Sequence, residues 1–270
     1  MKEPQACTLL VVSFCSRCRY NKQMISLFIF LLGLAVGSFL NAVIFRLEKG
    51  ENALKGRSYC PQCKHQLSFD DLIPVLSFVL LKGKCRYCKK PISWQYPLVE
   101  ISTAAVFLLI FFTQGLNFYL WSIASLLIVI FVYDLKYYLI PDIILYLAIG
   151  VAFLYRIFKH VGSLENALVS AIFASAFFLA IYLLSKGKWM GFGDVKLAFF
   201  MGLFLGFPNI LIALYSAFFA GAVVGVVLIV AKKKKMNSQV PFGPFLVGGT
   251  FFALLFGQSI AHWYLRFLLV

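Results

Sequence analysis

Eight apolar runs of roughly membrane length follow one another along this 270-residue chain, at residues 25–47, 98–113, 118–133, 139–158, 164–184, 195–207, 209–231 and 244–264. A helix crossing the ~30 Å hydrocarbon layer needs about 20 predominantly apolar residues. The second, third and sixth runs are the short ones. Composition points the same way. Hydrophobic residues make up 62% of the chain and mean hydropathy is +0.90, against ~45–50% apolar usage in a soluble domain. The expected fold is an all-α polytopic membrane protein of about eight transmembrane helices.

Charge fixes the expected orientation. Lys plus Arg number 25 against 10 acids, a net charge of +15. Such a balance also suits a nucleic-acid binder, but here the positive charge lies between the spans, as it does in cytoplasmic loops that orient helices during insertion. Residues 48–96 carry Lys49, Lys55, Arg57, Lys64, Lys82, Lys84, Arg86, Lys89 and Lys90. Alternate loops then hold Lys136, Lys186 with Lys188, and the Lys232 to Lys235 run, whereas the intervening loops carry a single lysine, Lys159. The lysine run reads as an orientation anchor, and no nucleic-acid partner is expected. Asp134 and Asp194 fall on one membrane face, the cytoplasmic one.

Residues 1–23 are basic, and their apolar stretch at 6–14 is too short to span. Met24 immediately precedes the first good span. These residues are read as a doubtful extension upstream of the true start. Cys15 and Cys18, a lone C-x2-C within it, are assigned no role.

Four further cysteines are arranged with metal-ligand spacing. Cys60 and Cys63 are followed after 21 residues by Cys85 and Cys88. Each C-x2-C turn presents two thiolates to one tetrahedral ion, and the intervening chain returns the second pair to complete the shell. A reducing cytosol disfavours disulfides. The motif therefore reads as a structural zinc site, closed to substrate, that folds a loop with little apolar core. His65, beside it, reads as a surface or neighbouring group.

After Glu100 the acids reduce to Asp134, Asp142, Glu165 and Asp194. Ionisable groups at membrane depth are costly and point to function by default. Asp134 closes the third span, and Asp194 opens the sixth, in Gly191-Phe192-Gly193-Asp194. An acid in the first turn of a helix also complements the dipole, so the glycines and the second aspartate on the same face give the motif its weight. Two carboxyl groups within hydrogen-bond reach share a proton, leaving one as base and the other as acid. Asp142 follows Pro141 and opens an apolar run, which suits a helix cap. Lys196 could orient the pair or anchor the membrane edge.

These motifs, taken in order, resemble the type IV prepilin peptidases, a branch of the Gly-x-Gly-Asp aspartyl proteases. The resemblance covers nearly everything after Met24. It rests on Gly37-Ser38-Phe39-Leu40-Asn41 with Arg46, on the run from Cys60 through Pro74 and Cys88 to Glu100, on Asp134 to Asp142, on Gly191 to Leu197, and on Pro241-Phe242-Gly243-Pro244-Phe245. It implies cleavage of the short leader from prepilins and pseudopilins at the cytoplasmic face of the bacterial inner membrane, with Asp134 and Asp194 catalytic and Gly191, Gly193 and Lys196 in support. It also implies methylation of the new amino terminus with S-adenosylmethionine, for which Glu100 and the cysteine loop are loose candidates. The organisation expected is residues 24–47 as the first span, 48–97 as the cysteine loop and 98–265 as the membrane peptidase domain. A transporter lined by the two aspartates and a noncatalytic scaffold with a zinc loop stay as alternatives, although the paired repeats of many transporters are not visible.

Overall fold

The computed structural model describes the backbone at residues 6–53, 56–159, 163–231 and 240–268, and side chains at 22–53, 56–159, 163–231, 240–264 and 266. The Lys232 to Lys235 run, and the side chains of Cys15 and Cys18, lie outside the described residues. Among the described residues the structure is all-helical, with no strand: α1 (Ala6–Lys49), a 3-10 turn (Phe69–Leu72), α2 (Leu76–Leu80), α3 (Gln95–Gln114), α4 (Phe118–Tyr137), α5 (Asp142–Lys159), α6 (Leu164–Ser185), α7 (Phe192–Leu205), α8 (Asn209–Val230) and α9 (Gly243–Leu268).

Each of the eight apolar runs is occupied by a helix, but six are long and apolar enough to cross a membrane: Lys22–Lys49 of α1, α3, α4, α6, α8 and Gly243–Tyr264 of α9. The other two fall short for separate physical reasons. Helix α5 contains Asp142, Arg156 and Lys159 within 18 residues. Helix α7 has only 14 residues, about 21 Å of rise. Helix α1 continues without a break through residue 23, where the doubtful extension was expected to end.

The chain divides into two compact units, residues 1–45 with 52–121 and residues 46–51 with 122–270. In the first unit α1 and α3 run antiparallel. Asn41 on α1 donates its Nδ2 to the Tyr96 carbonyl at 3.0 Å. A β-carbon on Gly37 would stand 2.6 Å from the Glu100 Cα, and one on Gly33 would stand 2.5 Å from the Ala104 Cα. The Gly-x-x-x-Gly of α1 thus lets two backbones touch, which is how helices gain packing in lipid, where apolar burial gives no drive. Beyond the loop, Trp121 stacks on Phe107 with centroids 5.3 Å apart and donates its indole N–H to the Phe107 carbonyl at 3.2 Å.

The second unit is built around α7, which packs against α5, α6, α8 and α9. Asp194, Val195, Leu197, Ala198, Phe200, Met201, Gly202, Leu203 and Phe204 are all buried. A helix apolar on every side belongs inside a bundle, and one encased in protein has no need of the full membrane length. Gly202 allows the approach to α6, since a β-carbon there would lie 2.5 Å from the Ala171 Cα. At the far end of α7, Arg156 of α5 donates Nε to the Leu203 carbonyl at 2.7 Å and a terminal nitrogen to the Phe204 carbonyl at 2.9 Å. Those carbonyls have no helical partner of their own, so a charge carried by α5 closes the end of its neighbour.

Candidate active site and cysteine cluster

Asp134 sits one turn before the end of α4, and Asp194 sits in the first turn of α7. Both are buried, at 5% and 7% exposure. The local sequence explains how each is held. After Asp134 the helix closes, with the Tyr138 amide donating to the Asp134 carbonyl at 2.9 Å and Tyr138 in the left-handed region at φ +58°. That turn sends Ile140 back against Gly193, where a β-carbon would stand 3.1 Å from the Ile140 Cβ. The second glycine of Gly-x-Gly-Asp therefore clears the way for the loop that follows Asp134.

Asp194 and Gly191 exchange two hydrogen bonds. The Gly191 amide donates to Asp194 Oδ2 at 3.3 Å, and the Asp194 amide donates to the Gly191 carbonyl at 3.2 Å. The carboxylate thus reaches back across the start of α7, as an acid at the third helical position does in a capping box. Asp134 has an equivalent donor in Gly243, the first residue of α9, whose amide hydrogen-bonds its carboxylate. An anion at a helix N-terminus is favoured by the dipole and the unpaired amides there. The two aspartates lie within electrostatic reach of each other. The structure thus brings Asp134, Asp194, Gly191 and Gly193 together.

Lys196 is directed elsewhere. Its Nζ stands 2.8 Å from Asp142 Oδ1 and lies over the Tyr146 and Phe192 rings at 5.4 and 5.3 Å. Asp142, the first residue of α5, is the more exposed partner. Gly243 is the residue that sequence reasoning passed over. It stood in the Pro241 to Phe245 motif, and its only local signal was a glycine beside Pro244 at the head of an apolar run, the pattern of a helix start.

In the first unit the four thiols converge, all four Sγ atoms lying within 4.8 Å of one another. The Cys60 and Cys88 sulfurs are 3.9 Å apart, close to the edge of a tetrahedron with metal–sulfur bonds of ~2.3 Å. The two C-x2-C turns repeat one construction. The Cys60 amide donates to the His65 carbonyl and the Lys64 amide to the Cys60 carbonyl, both at 2.9 Å, while the Cys85 amide donates to the Lys90 carbonyl at 2.8 Å and the Lys89 amide to the Cys85 carbonyl at 3.0 Å. Lys64 and Lys89 both adopt positive φ, +59° and +58°. The His65 and Tyr87 rings meet at 3.7 Å, tilted by 37°, and join the turns. Burial pushes the Cys60 thiol up, but the amides of Cys63 and Gln62 outweigh it and bring the thiol down to about 7. For Cys63 the His65 amide pulls downward, yet burial and the neighbouring thiols push it up to about 11. A cation at the centre would displace these shared protons, so the donor set fits a thiophilic metal ion.

Glu100 is buried on α3, where it accepts the Val75 amide at 2.7 Å and a hydrogen bond from Ser38. Val75, at φ +60° and ψ −48°, is the centre of a tight turn closed by the Leu76 amide on the Pro74 carbonyl. This is a rare conformation for a β-branched residue, pinned by the glutamate.

Comparison with known proteins matches the Bacterial Peptidase A24 N-terminal domain to residues 31–114 and the Type IV leader peptidase family to residues 121–226. The chain is 32% identical over 271 residues to a prepilin leader peptidase/N-methyltransferase of Aeromonas hydrophila, covering 88% of this chain and 92% of the relative. Proteins of the same name from Pseudomonas aeruginosa and Bacillus subtilis are 30% identical over 270 residues and 31% identical over 241, with 88% of this chain and 92% and 97% of the relatives covered. The chain belongs to the type IV leader peptidase family. No solved structure matches it. In this family member both aspartates lie inside the 121–226 match, the four cysteines and Glu100 lie inside the 31–114 match, and Gly243 lies beyond either.

Proposed function

We propose that this chain cleaves the leader from type IV prepilins and pseudopilins, using Asp134 and Asp194 to activate one water, and then methylates the new amino terminus. The observation that carries the reading is the pair of buried carboxyl groups at the ends of α4 and α7, within electrostatic reach of each other and each accepting an amide N–H. Two acids so placed do not ionise together readily.

The ionised aspartate takes a proton from water as the water oxygen bonds to the scissile carbonyl carbon. The protonated aspartate hydrogen-bonds the carbonyl oxygen and then gives its proton to the departing amide nitrogen as the C–N bond breaks, so the pair again holds one proton, and the second water proton leaves from the new carboxyl group as it ionises. The products are a leader ending in a carboxylate and a mature chain with a free amino terminus. The Gly191 and Gly243 amides keep the two carboxyl groups fixed while the proton moves.

Positive charge on the alternate loops supports an orientation with this face toward the cytoplasm of the inner membrane. Cys60, Cys63, Cys85 and Cys88 would hold zinc in a closed shell, and zinc when bound supplies folding free energy to the loop. Methyl transfer rests on the names of the relatives, with S-adenosylmethionine as donor. The Glu100 carboxylate is occupied by Val75 and Ser38, which suits a latch better than a cofactor contact, and no step is assigned to it.

The test is incubation of the purified full chain, in detergent, with a prepilin and isotopically labelled S-adenosylmethionine. Mass spectrometry should show the leader lost and a labelled methyl on the new amino terminus. An intact prepilin after prolonged incubation would contradict the peptidase reading, and a cleaved, unlabelled product would contradict the methylation alone.

A further inference from the structure

The cysteine loop carries an apolar surface that neither the thiol cluster nor the aspartate pair uses. Phe69 is 86% exposed, Leu80 72%, Trp94 70%, Val79 62%, Leu76 51% and Ile73 43%. All but Trp94 fall in the 3-10 turn and α2 or between them, whereas the two cysteine turns are polar and basic. A contiguous apolar patch of this kind marks an interaction surface.

We infer that residues 69–80 lie in the membrane interface, with their apolar side chains seated below the headgroups of the leaflet that α1 and α3 enter, and with Lys82 and Lys84 facing anionic lipid phosphates. The depth of the segment carries the argument. The Val75 amide, at the head of α2, is bonded to Glu100 at 2.7 Å, and Glu100 lies five residues into the membrane-capable helix that begins at Gln95. Five residues rise about 7.5 Å along a helix axis. Apolar faces of interfacial helices sit roughly 5–10 Å into the headgroup and acyl boundary. Helix α2 is therefore tied to α3 at the depth an interfacial helix occupies.

Two further observations agree. Trp94 and Tyr96 stand at the start of α3, where aromatic side chains mark the membrane boundary, and the Trp94 ring packs on Phe78 of α2 with centroids 5.0 Å apart. The chain leaving α2 is basic, with Lys82 and Lys84 both exposed, and lysines near a membrane surface are attracted to anionic lipid. The lipid leaflet is thus favoured over a protein partner because the patch continues a membrane-entry surface and bears the complementary charge.

The test uses the full chain in nanodiscs of phosphatidylcholine and phosphatidylglycerol. Trp94, Trp121, Trp189 and Trp263 are replaced by Phe, and a single reporter is introduced as Leu80→Trp or, separately, Phe69→Trp. Acyl-brominated lipid should quench either reporter by roughly twofold or more, as expected at interfacial depth, while aqueous iodide should have little effect. Iodide quenching without bromolipid quenching would overturn the inference and leave the patch as a surface for a protein. A photo-crosslinking residue at position 80 of the otherwise native chain gives a second reading independent of the tryptophan replacements. Phospholipid adducts are expected, and their absence would overturn the inference. With Lys82→Gln and Lys84→Gln, the phosphatidylglycerol share of those adducts should fall roughly twofold, and an unchanged share would refute the headgroup contact.

Discussion

Gly243 and Asp134 are fitted directly against each other: the Gly243 amide donates to the Asp134 carboxylate, and a β-carbon on Gly243 would stand 2.5 Å from Asp134 Oδ2. The first residue of α9 thus sets the position of an acid on α4.

Gly243→Ala should therefore displace Asp134. Prepilin cleavage should drop by on the order of a hundredfold, the usual result of a small misplacement of reacting groups. Thermal melting in detergent should change far less, because the fault is local. Kinetics and melting on the same preparation check this, and cleavage within a few-fold of wild type would mean that Asp134 tolerates the shift.

Asp142→Asn gives the contrasting case. Its carboxylate is engaged with Lys196, and an exposed ion pair contributes about 0–1 kcal/mol. Cleavage should stay within roughly fivefold of wild type, and Lys196→Gln should behave alike. A loss from either variant as deep as that expected for Asp134→Asn would place the pair inside the catalytic machinery.

Chelation should unfold the cysteine loop and leave the membrane helices intact. The expected metal content is about one equivalent of zinc per chain. Cys60→Ser or Cys85→Ser should lower it strongly and expose residues 56–92 to protease, since metal binding and folding of such loops are coupled. Metal analysis with limited proteolysis reads both, and a protease-resistant, metal-free loop would contradict the role given to zinc.

Glu100→Gln tests the latch. The Val75 amide would lose its charged acceptor, a change costing about 1–3 kcal/mol when the donor is buried. Protease should enter at residues 73–76 faster than in wild type, and an unaltered cleavage rate there would show that the tight turn holds itself.

Acid should loosen the same loop through Asp71. Burial pushes this carboxyl up, but the Ser68 hydroxyl and amide and the Arg86 guanidinium, 2.8 Å away, hold it below the usual carboxylate range. A depressed native pKa adds stability above the unfolded value of ~3.9, and that stability is lost as pH falls through the native value. In the metal-loaded protein, the protection that wild type has beyond the Asp71→Asn variant should be present from neutral pH to about 5 and vanish below about 4. Asp71→Asn should remove that acid-side component, and identical profiles for the two proteins would refute the assignment.

Much of this organisation was legible in the sequence. Asp134 and Asp194 stood out because acids are scarce beyond Glu100 and because both fell at the ends of apolar runs. The cysteines announced themselves by spacing alone. Gly243 did not, because its role depends on α9 returning to α4, a contact that local pattern cannot carry. The Val75 turn was hidden for a similar reason, since a β-branched residue gives no local sign of positive φ and its acceptor lies 25 positions away. Helices α5 and α7 occupy two of the eight runs without the length and composition of a span on their own, α5 because it carries three charges and α7 because hydropathy registers burial in protein and burial in lipid alike. Helix α7 is apolar because other helices surround it.

The most direct test of the two-aspartate account is single-turnover cleavage of a prepilin by Asp134→Asn and Asp194→Asn, each confirmed as folded by its melting transition in the same detergent. Both rates should fall by on the order of a thousandfold or more, within the range that acid–base groups supply. Wild-type cleavage by either folded variant would contradict the account.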